Sequence, residues 1–325
     1  MVHKIDTAFY PGWTRKAITF SIDDGNTAMD KKFLDILRPA GIRGTFNLCS
    51  HTTNQMTPEA YREFYRDYEI ANHCKYHPFT LKENETYLFC EEPLDPSVKD
   101  HVLLAKEKGI AAKLLYPTEE ENLWQYNQFG RRYYVATGEK YIQMIRQCHK
   151  ELEDIFGKGS VRGFVWPFDR QENAEVEAYL QNNDLGYTSV RRSGEWGAER
   201  GFPLPEQRVY WQYTAIHSNF LQKAEIFAAL PDDGERKFFC LGVHSIDYEH
   251  ADKWEDLKIF ASLYGNRPED FYYAPVGEIF DYADAAAQIQ ITESAVINPT
   301  KIDVYLTVDG EKRIIKAGET WILGA

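Results

Sequence analysis

The sequence has no long apolar run. None approaches the roughly 18 consecutive apolar residues that a membrane-spanning helix needs. The first residues, MVHKIDTAFYPGWTRK, also lack the apolar core of a signal peptide. We therefore expect no membrane partner, and we expect a cytoplasmic protein unless a leader was removed before the first residue.

Cysteine is scarce and scattered along the chain. The five cysteines have irregular spacing and no CxxC pair; they are Cys49, Cys74, Cys90, Cys148 and Cys240. An odd number of cysteines at irregular spacing is not typical of a disulfide framework. The pattern favours reduced thiols, which agrees with a cytoplasmic location.

Positive charge is in deficit, with 37 Lys and Arg residues against 50 Asp and Glu residues and a net charge of −13. Such a chain repels a phosphate backbone, so we expect no nucleic-acid partner. Apolar residues, in contrast, are plentiful: 43% of the 325 residues are hydrophobic and 14% are aromatic. This content is enough for one large α/β domain with a small appendage.

Short apolar runs alternate with longer amphipathic segments through most of the chain. The predicted strands are 17–22, 43–48, 68–71, 161–166, 186–190, 207–211 and 237–243. The predicted helices are 29–39, 57–67, 139–156, 172–183, 220–230, 252–263 and 277–290. Regular alternation of strand and helix predicts a mainly parallel sheet that is covered by helices.

Two regions interrupt this alternation. Residues 82–138 are polar, aromatic and irregular, and we interpret them as an insertion beside the site, with one short helix at 97–109. Residues 291–325 change to β-type patterns, and the Asp309-Gly310 pair predicts a hairpin. An exposed edge of this β appendage would allow a homo-oligomer, although no residue demands one.

Acidic and histidine side chains follow two of the predicted strands. Asp23 and Asp24 follow the first strand, in the stretch SIDDGN. His73 and His77 follow the third strand, in the stretch EIANHCKYHP. In a β/α barrel the carboxyl ends of the strands meet on one face, so we expect these side chains to converge. In a helical turn, residues at i and i+4 would also share one face.

One carboxylate and two imidazoles form a ligand set that is typical of a catalytic metal site with an open position for water. Zinc suits these ligands best, and cobalt or nickel can also occupy such a site. Only one aspartate is needed as a ligand, so its neighbour can accept a proton from the water. Two histidines at this spacing also arise by chance on surfaces and in cores, so the HxxxH motif alone is weak evidence.

A further histidine, His244, follows the last apolar run of the alternating region, in the stretch LGVHS. A histidine at the carboxyl end of a strand can protonate a leaving amine. The alternative interpretation is a structural histidine that is capped by the following loop. The sequence around His244 leaves both interpretations open.

Taken in order, the stretches SIDDGN, GTFNL, EIANHCKYHP, VRGFVWPFD and LGVHS resemble the motifs of the polysaccharide deacetylase family. This family is also called the NodB-homology family or carbohydrate esterase family 4. The resemblance covers about residues 15–250 and is interrupted by the insertion. The later stretch FYYAPVGEIFDYADA and the β tail are similar to a divergent bacterial branch of the family.

The resemblance implies an α/β fold in which residues 1–290 form a distorted (β/α)7 barrel and residues 291–325 form a small C-terminal β appendage. It also implies a metal-dependent removal of acetyl groups from nitrogen or oxygen. By position, Asp23 resembles the catalytic base and His244 resembles the catalytic acid. The residues that resemble the metal ligands are Asp24, His73 and His77.

The third motif departs from the family pattern. The family has an arginine that orients the base, followed by proline, an aromatic residue and glycine. Here the segment at 165–169 reads VWPFD, so the arginine is missing and Asp169 stands in place of the glycine. Arg191 or Arg192, after the next predicted strand, can supply the missing charge, or both can be solvated surface residues.

Our main hypothesis from the sequence is a metal-dependent hydrolase that removes an acetyl or similar acyl group from an N- or O-acylated carbohydrate. A small amide that is not a sugar is an alternative substrate for the same fold. Another alternative is a binding protein without catalysis, in which aromatic residues of the insertion, such as Trp124 and Tyr126, stack on a sugar ring. The missing arginine favours the binding protein, whereas the complete Asp-Asp and HxxxH pairs favour the enzyme.

Overall fold

The main sheet of the protein is parallel, and helices alternate with its strands. The computed structural model describes residues 3–78, 89–90, 124–127, 132–134, 136, 138–169 and 173–323. Within these residues the order of strands and helices is that of an α/β protein. The predicted fold class is therefore confirmed.

In the described part of the chain, seven parallel strands form the main sheet, and we number them in chain order. They are Lys16–Asp24 (β1), Thr45–Leu48 (β2), Glu69–Asn72 (β3), Val161–Val165 (β4), Ser189–Glu195 (β5), Val209–Tyr213 (β6) and Lys237–His244 (β7). Their order in the sheet is β6-β5-β4-β3-β2-β1-β7. Tyr272–Tyr273 pairs with β1 as a short additional parallel strand.

The two ends of this sheet approach each other, which gives it the form of a distorted barrel. Gly242 N on β7 donates a hydrogen bond to Ala215 O, just after β6, at 2.8 Å. Ala215 and Leu241 also form a parallel bridge. Glycine is needed at position 242, because a Cβ there would lie 2.3 Å from the ring of Tyr213.

Eight helices are present among the described residues, and most of them cover the outside of the barrel. They are Thr27–Leu37 (α1), Pro58–Phe64 (α2), Gly138–Phe156 (α3), Ala174–Asn182 (α4), Phe220–Ala229 (α5), Ser245–His250 (α6), Trp254–Tyr264 (α7) and Val276–Ala287 (α8). The start of α2 follows from its sequence. Thr57 accepts a hydrogen bond from Ala60 N at 3.3 Å, and Pro58 occupies the first helical position.

The core between the barrel and its helices is rich in aromatic rings. The ring centroid of Phe20 on β1 lies 5.1 Å from that of Phe33 on α1 and 5.3 Å from that of Phe46 on β2. All three side chains are fully buried. Edge-to-face contacts of this kind add to the hydrophobic stabilisation, and here they fix α1 against the strand that precedes it.

Among the elements that differ from the predicted ones, two bear on the site. The prediction ends a strand at residue 190, whereas β5 continues to Glu195, so that Arg191 lies inside the strand. The sequence pattern predicts no helix at α6, because six residues are too few for a helical period to show.

Most of the predicted insertion at 82–138 lies outside the described residues, and so does its predicted helix at 97–109. Its described strands form one antiparallel sheet; they are Phe89–Cys90, Trp124–Asn127 and Arg132–Tyr134. The side chains of Trp124 and Tyr126, which a sugar-binding protein would use for stacking, also lie outside the described part of the chain.

The C-terminal strands form two small antiparallel sheets. The first contains Ile5–Asp6, Val304–Val308 and Glu311–Ile315. The second contains Gln290–Ile291, Ala295–Ile297 and Thr320–Ile322. Asp309 and Gly310 form the predicted hairpin turn, with φ of 52° and 87°, as a two-residue turn of type I′ requires.

Helix α8 begins against the amino end of the barrel. Gly277 N donates a hydrogen bond to Glu69 Oε1 at 3.0 Å, and Val276 N donates to Thr45 Oγ1 at 3.1 Å. A carboxylate at a helix amino terminus is stabilised by the helix dipole. These contacts lie opposite the barrel end at which Asp23, Asp24 and the three histidines of the sequence motifs are found.

No helix in the described ranges combines the length and the apolar character that a bilayer span requires. The described cysteine side chains are buried and unpaired; they are Cys49, Cys74, Cys148 and Cys240. Burial raises the pKa of each of these thiols, so that they remain protonated at neutral pH.

Candidate metal centre

Asp23 and Asp24 end β1 at the carboxyl end of the barrel. Successive residues of a strand normally point to opposite sides of the sheet. Asp24 departs from this alternation, because it adopts a left-handed conformation with φ of 78°, and Gly25 follows with φ of 79°. This turn brings the Asp24 carboxylate to the histidines that follow β3, while Asp23 stays in the barrel interior.

His73 follows β3 and is buried, with 1% of the residue exposed. Its Nδ1 lies 3.0 Å from Val165 O at the end of β4. A carbonyl oxygen can only accept, so we assign the ring proton to Nδ1 from this contact. The other ring nitrogen, Nε2, then carries a lone pair, and it lies 3.5 Å from Asp24 Oδ1.

His77 brings a second imidazole to the same carboxylate oxygen. Its Nε2 lies 3.5 Å from Asp24 Oδ1, and its ring centroid lies 4.7 Å from that of His73. Residues 73–77 form a loop with positive φ at Cys74 and His77, so the helical turn suggested by their spacing is not present. The backbone loop, rather than a shared helix face, brings the two rings together.

The donor atoms of Asp24, His73 and His77 all lie within 4.8 Å of one another. Two ligands at about 2.1 Å from a tetrahedral zinc ion are roughly 3.4 Å apart, close to the separations found here. His73 Nε2 and Asp24 Oδ1 are buried and have no hydrogen-bond partner among the described residues. Buried lone pairs without partners need an explanation, and a divalent metal ion fits this donor set.

The protonation states of the ligand candidates also suit a metal. Burial alone would raise the pKa of Asp24, but His73, His244 and His77 outweigh burial and hold this pKa below its ordinary value. Burial and the adjacent His73 lower the pKa of His77 to about 3. At neutral pH, Asp24 is therefore an anion and His77 is a neutral imidazole, the forms that bind metals.

Asp23 is buried beside Asp24 and has different partners. Asn47 Nδ2 donates a hydrogen bond to Asp23 Oδ1 at 2.7 Å, and the guanidinium of Arg191 pairs with the same oxygen. Arg191 is fully buried, and its Nε donates to Ser21 Oγ at 3.0 Å. Burial would raise the pKa of Asp23, but the Arg191 charge outweighs burial and keeps this pKa below its ordinary value.

Arg191 brings a positive charge to the place where the third motif lacks one. In the pairing of β4 with β5, Arg191 is the register partner of Val165. The third motif, in which the family has its arginine, begins at Val165 at the end of β4, so the charge here lies on the neighbouring strand β5. Of the two arginines considered from the sequence, Arg191 contacts Asp23, whereas Arg192 follows it in the strand and faces the other side of the sheet.

His244 ends β7 and is the register partner of Asp23. Its Nε2 lies 3.6 Å from Asp24 Oδ2, and its Nδ1 lies 2.9 Å from Asp247 Oδ2. Asp247 also accepts a hydrogen bond from His244 N at 3.2 Å, in a capping box at the start of α6. Burial would lower the pKa of His244, but Asp247 and the nearby aspartates outweigh burial and raise it to about 9.

Phe168 forms an apolar wall beside the ligand candidates. Its ring centroid lies 4.2 Å from that of His77, and 38% of the residue is exposed. Its φ of 54° is unusual for a bulky side chain and is typical of strained residues near functional sites. The aromatic residue of the third motif thus lies at the mouth of the barrel, next to His77.

All five residues that the sequence analysis singles out lie at one end of the barrel; they are Asp23, Asp24, His73, His77 and His244. Two of their hydrogen-bond partners, Asn47 and Asp247, were not predicted from the sequence. Asp247 had only a weak signal, because His244 followed by Asp247 three residues later departs from the Ser/Thr-x-x-Glu/Gln pattern of a capping box. Asn47 had none, since its contact depends on strand register.

Comparison with known families identifies the family of the chain. The Polysaccharide deacetylase family model matches residues 12–190, which is more than half of the chain. The matched segment contains β1 to β4, and with them Asp23, Asp24, His73 and His77. His244 lies beyond the matched segment.

Several solved structures resemble the chain. The Xyl-CE4 domain of a xylanase from the hindgut metagenome of Trinervitermes trinervoides is 16% identical, with a TM-score of 0.42, over 83% of this chain and 91% of that one. A CE4 esterase from Streptococcus mutans is 15% identical, with a TM-score of 0.42, over 81% and 85%. An acetyl xylan esterase from Clostridium thermocellum, solved with a cobalt ion, is 14% identical, with a TM-score of 0.39, over 82% and 90%.

Among curated proteins, an ATP-dependent helicase/nuclease protein from Staphylococcus saprophyticus is 25% identical over 113 residues. The match covers 34% of this chain and 9% of that protein. Because the chain spans so little of this relative, the match assigns no activity to the chain.

Proposed function

Because the chain belongs to the polysaccharide deacetylase family, we propose that it is a metal-dependent hydrolase that removes an acetyl or similar acyl group from an N- or O-acylated carbohydrate. The observation that carries this proposal is the convergence of three ligand atoms beside a buried anionic carboxylate and a protonated imidazole. These are the parts that hydrolysis of an amide or ester at neutral pH requires.

In this proposal Asp24, His73 and His77 hold the metal through Oδ1, Nε2 and Nε2. Zinc suits one carboxylate and two imidazoles best, and cobalt or nickel can replace it. When bound, the metal supplies Lewis-acid polarisation of the acyl carbonyl and lowers the pKa of a water molecule. Val165 O fixes the orientation of the His73 ring, which keeps its lone pair directed at the site.

Asp23 is the proposed general base. Its contacts with Asn47 and Arg191 both engage Oδ1, which leaves Oδ2 to accept a proton from the attacking water. A buried carboxylate without a partner would take up a proton and lose this role. The Arg191 charge keeps Asp23 anionic, and the two contacts hold its carboxyl group in one orientation.

His244 is the proposed general acid. Asp247 engages Nδ1, so the proton on Nε2 faces the site beside Asp24. With a pKa raised to about 9, the imidazole is protonated at neutral pH and can donate to the leaving nitrogen or oxygen. Asp23 and His244 lie side by side on neighbouring strands, which suits proton removal and proton donation in one site.

The ion pair of Arg191 with Asp23 supports the hydrolase over a binding protein without catalysis. The missing arginine of the third motif was the feature that favoured the binding protein. A positive charge beside Asp23 removes that reason, because the proposed base retains its partner. Within this proposal, residues 1–290 form the hydrolase domain with an insertion at 82–138, and residues 291–325 form the appendage.

Metal content and acetate release together test this function. We expect protein purified without chelator to contain about one divalent metal ion per chain and to release acetate from N-acetylglucosamine oligomers or acetylated xylan. Removal of the metal should abolish release, and added zinc, cobalt or nickel should restore it. Turnover that persists in fully metal-free protein would contradict the proposal.

The matched variants are His77→Ala and His250→Ala. His77→Ala should lose both the metal and the activity, whereas His250 is an exposed histidine on α6 and its loss should change neither. A metal-loaded wild type that turns over no acylated sugar would favour the binding protein. Turnover confined to non-sugar amides would favour the alternative substrate.

A further inference from the structure

Asp30, on α1, is a buried acid that the proposed reaction does not use. The residue is 0% exposed. Burial raises the pKa of its carboxyl group to about 7, and the hydrogen bonds that it accepts only partly oppose this effect. A buried acid without an opposite charge costs free energy, so its presence calls for an explanation.

Two hydroxyl groups donate to the Asp30 carboxyl group, one to each oxygen. Ser245 Oγ donates to Oδ1 at 2.6 Å, and the Tyr65 hydroxyl donates to Oδ2 at 2.7 Å. Ser245 is also 0% exposed, and Tyr65 is 2% exposed. The three groups therefore form a dry hydrogen-bonded cluster, in which each bond has one defined geometry.

The Ser245 bond connects two parts of the site. Ser245 is the first residue of α6 and follows His244 directly, while α1 begins shortly after Asp24. The hydrogen bond between Asp30 and Ser245 thus connects α6, which follows the proposed acid His244, to α1, which follows the proposed metal ligand Asp24.

The other side-chain contact of His244 does not supply this connection. Asp247, which holds His244 Nδ1, lies on the same six-residue helix α6. A displacement of the first turn of α6 would therefore move the acid and its partner together. The hydrogen bond from Ser245 to Asp30 attaches that turn to α1, a different element of the fold.

We propose that Asp30 is a positioning residue, which holds the His244 imidazole in place at the metal centre by fixing Ser245 at the start of α6. The inference rests on the proposed function, in which His244 is the acid. Asp30 itself touches neither the metal ligands nor the imidazole in this arrangement, and it acts through Ser245.

Two single variants separate positioning from mere stabilisation. Ser245→Ala and Tyr65→Phe each remove one buried hydroxyl from the same carboxyl group, so both should lower the thermal midpoint by similar amounts. Of the two, only Ser245→Ala removes a contact between α1 and the first residue of α6. We expect it to lower kcat by roughly 10–100-fold, with KM and metal content unchanged, whereas Tyr65→Phe retains kcat.

Variants of Asp30 provide a rescue test. Asp30→Ala should lower kcat as Ser245→Ala does, because either change removes the hydrogen bond that holds the first residue of α6 to α1. Asp30→Asn keeps an oxygen acceptor for Ser245, so its kcat should lie closer to wild type than that of Asp30→Ala. The double variant Asp30→Ala with Ser245→Ala should be no worse than the more impaired single variant, since both break one contact.

A measurement that does not depend on enzymatic turnover tests the positioning role of Asp30 separately from the proposed function. The ring resonances of His244, in protein with 15N-labelled histidine, should shift or broaden in Ser245→Ala and stay in place in Tyr65→Phe. If wild type shows no deacetylation, the proposed function fails, and these resonances still decide the positioning role. Equal effects of Ser245→Ala and Tyr65→Phe on kcat and on the His244 resonances would overturn the inference.

Discussion

The guanidinium of Arg191 on β5 pairs with the carboxylate of Asp23 on β1, across the interior of the barrel. Three strands separate β5 from β1 along the sheet, so this contact exists only because the sheet curves round on itself. Both residues are buried, and each charge would be costly without the other. The ion pair therefore links the closure of the fold to the ionisation state of the proposed base.

Arg191→Val tests this link. The variant leaves a buried Asp23 without a partner, so we expect unfolding free energy to fall by about 3–5 kcal/mol. Asp23 should then take up a proton near neutral pH, and kcat should fall by at least roughly 100-fold. Urea unfolding and initial rates on one acetylated substrate measure the two effects.

Two further variants serve as controls for this prediction. Arg192→Ala removes the neighbouring arginine charge but leaves the Arg191–Asp23 ion pair in place, so it should retain kcat whatever its effect on stability. The exchange of Val165→Arg with Arg191→Val returns the charge to the adjacent strand and should recover part of the lost activity. Wild-type stability and turnover in Arg191→Val would show that Asp23 does not depend on this charge.

Asp247→Asn should shift the pH profile of the reaction. The hydrogen bond that Asp247 accepts from the His244 ring, together with the nearby aspartates, raises the pKa of His244, so removal of the Asp247 charge lowers this pKa. The proposed acid then loses its proton at a lower pH. The alkaline limb of the kcat/KM profile should therefore shift to lower pH, by roughly one pH unit.

Glu249→Gln is the matched control for this shift. Glu249 lies on the same helix α6, but its carboxylate pairs with Lys32 at the surface. Its removal should leave the alkaline limb where it is in wild type. An Asp247→Asn profile that coincides with that of Glu249→Gln would argue against His244 as the acid.

Asp30 should make stability fall as pH rises. Burial raises its pKa in the folded protein to about 7, above the value near 3.9 that is typical of an unfolded chain. Between these values the folded state binds a proton that the unfolded state does not. The stabilisation that this extra proton gives the folded state is therefore fully present below about pH 4, and it is lost as pH rises through about 7.

Comparison of wild type with Asp30→Asn isolates this effect, because asparagine does not titrate. The difference in unfolding free energy, wild type minus variant, should decrease by up to about 4 kcal/mol between about pH 4 and pH 8. Chemical unfolding of both proteins at a series of pH values measures it. Parallel stability curves would mean that the Asp30 pKa is not raised in the folded state.

The elements of the barrel were predictable, because strand and helix periods repeat clearly along the chain. The strand 17–22 and the helix 139–156, for example, correspond to Lys16–Asp24 and Gly138–Phe156. The convergence of Asp24, His73 and His77 was also predictable, since each follows a strand of one parallel sheet.

The partners of these residues were not predictable from local sequence. The contact of Arg191 with Asp23 depends on the length of β5 and on curvature of the whole sheet. The position of the Asp24 carboxylate depends on a left-handed backbone conformation, which is uncommon for a residue other than glycine. Helix α6, with Asp247 and Ser245, is too short to show a period.

A crystal structure of the metal-loaded protein, with anomalous scattering recorded at the metal edge, tests the central claim most directly. The account predicts one ion at about 2.0–2.2 Å from Asp24 Oδ1, His73 Nε2 and His77 Nε2, with an open coordination position facing Asp23 and His244. An ion bound elsewhere, or imidazoles of His73 and His77 that turn away from Asp24 in the loaded protein, would contradict it.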